Sequence, residues 1–334
     1  MKLAQHIYAD MKSQGAGGVL LTVLTIMPRY MRQTIALLFT WLAVKSPCLW
    51  SVVDGLSLFL IDCLRLFSGY VAASGLKKCR RPEKPLRLYE FEGCPFCRKV
   101  RETLSVLALD CMIYPCPRET LRAAGYCKDS RFRPTVKKFG GALMFPFLED
   151  PNTNVRMYHS DEIIKYLWGQ YGSEAKPPLN YRLAQYGIFE FLSLSLTTFC
   201  RPLMRFGILR VPSTLPKKPL ELWACEASAP ARRVREALSS LELPYYLRTT
   251  AIGSGKTMPS PVGRTRTWPS RLSESCFGLA CYATAMHVYL RDPNTNTELG
   301  SATAIVQYLE KTYKTGEGST ESWISYGGGL DAEE

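Results

Sequence analysis

The sequence predicts an α/β fold built from two copies of one unit in series, each a strand and helix followed by a strand, a hairpin and a second helix. Three observations carry this expectation: a Cys-x-x-Cys at a strand-to-helix turn, a block of residues that returns at constant spacing, and a repeated Asp-Pro-Asn turn.

Leu86-Arg87-Leu88-Tyr89-Glu90-Phe91 alternates as a half-buried strand does, and an amphipathic stretch opens after Glu92-Gly93-Cys94-Pro95-Phe96-Cys97. Cys94 therefore falls at a helix N-terminus, where unpaired backbone N–H groups and the positive end of the helix dipole stabilise a thiolate. Cys97 follows one helical turn on. An exposed low-pKa thiol that attacks, with a second thiol that resolves the mixed disulfide, is what thiol–disulfide exchange requires. Zinc binding is the competing reading, but the other cysteines and His159 offer no second ligand pair at matching spacing. An inert buried pair is the third.

The block Lys84 to Tyr89 reappears as Lys218 to Trp223, and Arg98 to Glu102 as Arg232 to Glu236, both at a spacing of 134 residues. On that register Ser228, Ala229 and Ala231 stand in for Cys94, Pro95 and Cys97, so the second copy has lost both thiols. Phe147-Leu148-Glu149-Asp150-Pro151-Asn152 is matched by Tyr289-Leu290-Arg291-Asp292-Pro293-Asn294, each an apolar strand running into a turn whose Asx side chains bond local backbone. Asp161 to Leu167 and Thr303 to Leu309 then show apolar residues at helical spacing.

Gly93 to Arg101, then Phe145-Pro146-Phe147-Leu148 with Asp150-Pro151-Asn152-Thr153, then Tyr158-His159-Ser160-Asp161, resemble the glutathione S-transferase N-terminal (thioredoxin-like) domain. The resemblance covers residues 84–172 and, more weakly, 218–316, and the tandem arrangement is similar to that of plastid proteins of plants and algae. It implies two thioredoxin-like units, with Cys94 as nucleophile and Cys97 as resolving thiol. It also implies a cis-proline at Phe145-Pro146, shaping a groove for a thiol peptide. Ser160 and Asp161 would hold the γ-glutamyl end of glutathione. His159 departs from the pattern, standing where the family commonly carries an acidic residue. In the second copy Val288 takes the proline position and Ala302 that of Ser160, so all parts of that site fail together.

The function implied is a glutathione-dependent, glutaredoxin-like thiol-disulfide oxidoreductase acting on protein or glutathione mixed disulfides, in a plastid or, second, a mitochondrion. About 45 residues, 173–217, separate the units, well short of the helical domain a complete transferase would carry. This argues against conjugation of electrophiles. The alternative from another class is a non-catalytic scaffold or assembly subunit of an organelle complex. A third has Cys94 and glutathione hold an iron–sulfur cluster across a dimer.

The 334 residues, 46% of them hydrophobic, are enough for two globular units plus extensions. Residues 1–80 read as a targeting-like extension with an amphipathic helix, 84–172 as the first unit, 173–217 as an apolar helical linker, 218–316 as the degenerate second unit and 317–334 as a flexible tail. The 12 cysteines are scattered rather than framed for disulfides, which fits a reducing compartment. A net charge of +13 would suit an anionic partner, yet the basic residues form no readable nucleic-acid motif, so nucleic acid is not expected. The expected partners are glutathione and disulfide-containing or glutathionylated proteins.

The first fifty residues hold Lys2, Lys12, Arg29, Arg32 and Lys45 against Asp10 alone, an acid-poor balance typical of targeting segments. Their apolar runs, 19–27 and 35–44, fall short of the roughly 20 residues that span a bilayer. Val52, Val53, Leu56, Phe59, Leu60, Cys63, Leu64 and Phe67 recur at helical spacing, with Asp54, Ser57, Asp62 and Arg65 opposite. The apolar face is predicted to pack on the first unit; contact with a membrane surface is the sharper reading. Arg118 to Phe132 forms a long polar stretch predicted to cover part of the site, and Ala251 to Met286 matches nothing in the first copy. Gly253-Ser254-Gly255-Lys256-Thr257 is not a phosphate loop, because Thr250 stands where that loop needs glycine.

Overall fold

The computed structural model describes residues 47–118, 130–200, 207–259, 266–267 and 288–315. Helix α1 (Pro47–Leu64) precedes β1 (Leu86–Glu90), α2 (Pro95–Val106), β2 (Cys111–Pro115), α3 (Arg133–Gly140), the hairpin β3 (Phe147–Asp150) and β4 (Val155–Met157), and α4 (Ser160–Tyr171). Helices α5 (Leu179–Ala184) and α6 (Gly187–Cys200) lead to β5 (Leu220–Ala224), α7 (Ala229–Ser240) and β6 (Tyr245–Thr249). The two-residue strands β7 (Thr257–Met258) and β8 (Arg266–Thr267), the hairpin β9 (Tyr289–Asp292) and β10 (Thr297–Leu299), and α8 (Ala302–Tyr313) follow. The predicted targeting segment, the tail and most of the stretches 118–132 and 251–286 lie outside the described residues.

Eight strands form one sheet in the order β10-β9-β5-β6-β2-β1-β3-β4. On either side of its centre the strands flanking the first helix are parallel, β1 with β2 and β5 with β6, and the hairpin pairs antiparallel with the first strand. The sequence predicts two small sheets in series; instead β2 and β6 pair antiparallel, Cys111 opposite Leu247 and Ile113 opposite Tyr245. Each strand would otherwise end its half as an open edge, and pairing satisfies both rows of N–H and C=O groups. The core runs unbroken across this seam, from Leu88, Val100 and Leu104 to Leu222, Val234 and Leu238.

The Asx turns form as the sequence predicts and also anchor helices. Asp150 accepts from the Asn152 N–H at 2.8 Å and from the hydroxyls of Tyr166 and Tyr171 on α4. Asp292 repeats this with Asn294, Tyr308 and Tyr313.

Two straps cross between the halves. After Gly69 the chain reaches the second half, with Ala72 N donating to Ile252 O and Ile252 N to Tyr70 O. After Gly207 it reaches the first, with Arg118 N donating to Ile208 O at 2.6 Å and Arg210 N to Arg118 O at 2.7 Å. Arg118 and Ile252 stand 134 residues apart, so the exchange follows the repeat. Gly207 has φ +69°, and a Cβ there would lie 2.6 Å from the Cβ of Glu92, so only glycine suits the crossing.

Helix α1 overturns one expectation. Its predicted inner face, Val52, Leu56, Phe59 and Leu60, points outwards, while Asp54, Asp62 and the following Arg65 are buried beside Leu58 and Ile61. Ion pairs decide the orientation: Asp62 meets Arg98 at 3.0 Å, Asp54 meets Arg233 at 2.7 Å, and Arg65 meets Glu102 at 2.6 Å. Leaving these charges buried and unpaired would cost several kcal/mol, roughly 3–5 for each broken pair, more than the outward residues lose by exposure. Lys256, from the segment refused as a phosphate loop, bonds Asp110 and the hydroxyl of Thr249.

Candidate active site

Cys94 caps α2. Its backbone is extended (φ −85°, ψ 121°), Pro95 supplies a first-turn residue with no N–H to satisfy, and the Cys97 N–H points at Cys94 Sγ, 3.4 Å away. Phe91, Cys94 and Cys97 pack together with Phe96 and Phe145 against them. The Phe91 and Phe145 rings meet edge to face at 6.1 Å, and the Phe145–Pro146 peptide is cis.

The two thiols differ sharply. Burial raises the Cys94 thiol, but hydrogen bonding from Cys97 and the backbone of Phe96, with the charge of Arg118, outweighs it and holds Cys94 below the ordinary thiol range. Cys97 is pushed well up by burial, by its contact with Cys94 and by the charge of Glu90. One thiol is set to ionise and its neighbour to stay protonated.

The sequence predicts an exposed nucleophile; Cys94 is 5% exposed. The Ile208 strap lies against Gly93, where a Cβ would come within 2.1 Å of the Ile208 side chain, and Arg118 sits over the Phe91 ring at 5.4 Å. Nη1 of Arg118 is buried without a hydrogen-bond partner, and Arg133 lies over the Phe145 ring at 4.8 Å. Desolvation lowers the Arg118 guanidinium while the Cys94 thiol opposes that shift.

Ser160 begins α4 and is buried, preceded by His159 at φ +62°. Asp161, expected to receive an ammonium group, already accepts from Lys99 Nζ on α2, which also bonds Glu190 of α6 at 2.7 Å. The structure thus packs Cys94, Cys97 and Phe145 together, sets Pro146 next to them, and ties Asp161 to the helix that Cys94 caps through Lys99.

In the second half Ser228 caps α7 as Cys94 caps α2, accepting from Ala231 N–H at 3.4 Å, but with no thiol in either place. Cys225 is buried among Tyr70, Ala227 and Ile252, and burial pushes its thiol up to about 12. Among the described residues no group of three or more His, Cys, Asp and Glu side chains is placed to hold a metal ion.

Sequence reasoning missed Lys99 and Ile208, and named Arg118 only as the first residue of a stretch predicted to cover part of the site. Arg118 had a readable signal: it follows β2 closely, at the same strand ends as Cys94, where ligands of open α/β sheets collect. Ile208 had none, because it arrives from the linker between the halves.

Residues 88–176 match the family model described as Glutathione S-transferase, N-terminal domain. The match spans 89 of the 334 residues and supports a thioredoxin-like domain of that type over this stretch. Comparison with curated proteins and with solved structures gives no match. The domain type is a glutathione-binding fold in its family, and here the Arg118 guanidinium, its Nη1 buried without a hydrogen-bond partner, lies close enough to Cys94 for their charges to interact.

Proposed function

We propose that the protein is a glutathione-dependent thiol-disulfide oxidoreductase of glutaredoxin type, acting on protein or glutathione mixed disulfides. The observation that carries this reading is the Cys94 thiol, held low at the cap of α2 with the Cys97 N–H aimed at its sulfur.

Cys94 thiolate attacks one sulfur of the substrate disulfide; a new S–S bond forms at Cys94 and the other sulfur leaves as a thiolate. Cys97 then gives up its proton and attacks Cys94 Sγ, releasing the second substrate thiolate and leaving a Cys94–Cys97 disulfide. The substrate has gained two electrons and the cysteine pair has lost them. Glutathione supplies the thiol electrons that restore the pair. Arg118 would hold its carboxylate end, Phe145 and Pro146 would wall the groove, and Ser160 with Asp161 would receive the γ-glutamyl end, Asp161 exchanging its Lys99 partner.

The second half reads as a non-catalytic thioredoxin-like partner. The mirrored strand order and the shared 134-residue spacing support this, and Ser228 in place of Cys94 accounts for its silence. A scaffold role is the second reading, favoured by the cover that Ile208 lays on the site. The plastid location follows the resemblance, and a fluorescent fusion of the full chain tests it.

Alkylation of Cys94 across pH, with and without glutathione, in wild type and in Cys97→Ser, separates the readings. The enzyme gives a thiolate titrating below the free value of about 8.5 and a glutathionylated Cys94 trapped in the variant. An unshifted, unreactive Cys94 leaves the scaffold.

A further inference from the structure

Helices α1 and α6 lie side by side with their polarity reversed. Each described charge on them is turned into the protein: Asp54 to Arg233, Asp62 to Arg98, and Glu190 to Lys99. Ser193 and Thr197 of α6 are also buried, the former receiving Arg65 Nη1 at 2.8 Å. The outward face is apolar instead. Val52, Leu56, Phe59, Ile188, Leu192 and Leu196 are all exposed, Leu56 at 61% and Ile188 at 75%. Three or four residues separate successive members on each helix, so they form two adjoining stripes rather than scattered points.

We propose that this face docks on the surface of an anionic lipid bilayer. A helix that buries its carboxylates and exposes leucines is suited to surroundings less polar than water. Charge selects the bilayer over a second copy of the chain: two molecules each carrying +13 repel, whereas anionic headgroups attract them. Arg182 on the neighbouring α5 is exposed, and in the sequence residues 1–46, ahead of α1, carry five Lys and Arg against one Asp. Among the described residues no helix is long and apolar enough to cross a membrane, so the mode of contact is insertion of side chains to the depth of the headgroup boundary.

The test is flotation of the full chain with phosphatidylcholine vesicles containing about a quarter phosphatidylglycerol, comparing wild type with Leu56→Gln/Ile188→Gln/Leu192→Gln. These side chains point outwards, and circular dichroism with thermal melting checks that the fold is retained. Wild type is expected to float with the vesicles and the triple variant to partition at least about tenfold less, since three apolar side chains no longer leave water. Phe59→Gln alone, a milder change, is expected to give an intermediate loss. Flotation that survives the triple substitution overturns the proposal by placing membrane contact elsewhere in the chain. Absence of flotation also overturns it, as does a wild-type dimer in sedimentation that the triple variant dissociates, which would assign the face to a second copy.

Discussion

Arg101 of the first half grips Glu226 of the second with both arms of its guanidinium, Nε and Nη2 donating to the two carboxylate oxygens at 3.0 and 3.1 Å. Arg101 also meets Glu92 at 3.0 Å, and Arg235 meets both carboxylates, Glu92 at 3.2 Å and Glu226 at 3.4 Å. Arg235 and Glu226 are the repeat partners of Arg101 and Glu92, so four fully buried charges close a ring across the seam. The two halves are held in register by charge as well as by the β2–β6 pairing. Arg101→Leu leaves Glu90 without its partner and Glu92 and Glu226 to Arg235 alone, and is expected to cost about 3–5 kcal/mol. Arg101→Met with Glu226→Met should recover part of that loss, Glu90 remaining without its partner, and urea unfolding of both variants checks it. A loss no larger in the single variant than in the double would refute the coupling.

Glu90 breaks the symmetry of this ring, since its repeat partner is Ala224. Burial first, then the charges of Glu92 and Glu226, push its carboxyl up to about 7 against the opposing pull of Arg101. The folded chain thus holds this proton more tightly than the unfolded one. Its contribution is complete below about 4.5 and is lost as pH rises through about 7, on the order of 3 kcal/mol in all. Glu226 runs the other way: Arg101 and Arg235 overcome the effect of its burial and hold it at about 2, so its contribution is lost as pH falls below the ordinary 4.5. Glu90→Gln should flatten the decline in stability between pH 4.5 and 7 while leaving the acid limb in place. Thermal melts across pH decide the matter.

After the hydrogen bonds from Cys97 and the Phe96 backbone, the charge of Arg118 helps lower the Cys94 thiol, and its Nη1 is buried without a hydrogen-bond partner. Arg118→Met retains the backbone bonds to Ile208 and Arg210 and removes only the charge. Alkylation of Cys94 at pH 7 should slow several-fold, with the rate recovering at high pH where the thiol ionises unaided. A rate unchanged at every pH would show that the helix N-terminus suffices alone.

Gly93 and Ile208 fill one space. Gly93→Ala drives a methyl into the Ile208 side chain and should destabilise by about 1–3 kcal/mol, with the strap displaced and Cys94 open to bulkier reagents. Ile208→Ala alone should cost about 2–5 kcal/mol by emptying the space. The double variant should cost less than the two singles together, and a double-mutant cycle reads that coupling directly. Strict additivity would mean that the strap relaxes without hindrance from position 93.

The cap geometry of Cys94 was legible because it is local. A strand, Pro95 and a capping thiol are consecutive residues, and cap geometry needs nothing from elsewhere in the chain. The Asp-Pro-Asn turns formed for the same reason, since an Asx side chain bonds backbone two residues on. Helix α1 misled because periodicity reports only that a helix has two faces. Which face turns inwards depended on Arg98 and Arg233, which lie 36 and 179 residues from Asp62 and Asp54.

By itself the sequence determined the elements, the repeat, the capped Cys94 and the loss of both thiols from the second copy, all short-range matters of dihedral preference, polarity and spacing. Tertiary structure alone decided that the two halves share one sheet, that straps exchange between them, that Ile208 covers Cys94 and Arg118 flanks it, and that α1 and α6 turn Leu56, Leu60, Leu192 and Leu196 outwards. These depend on buried charges finding partners far along the chain, and the cost of leaving a charge unpaired in a dry interior outweighs what any local pattern of hydrophobicity can express.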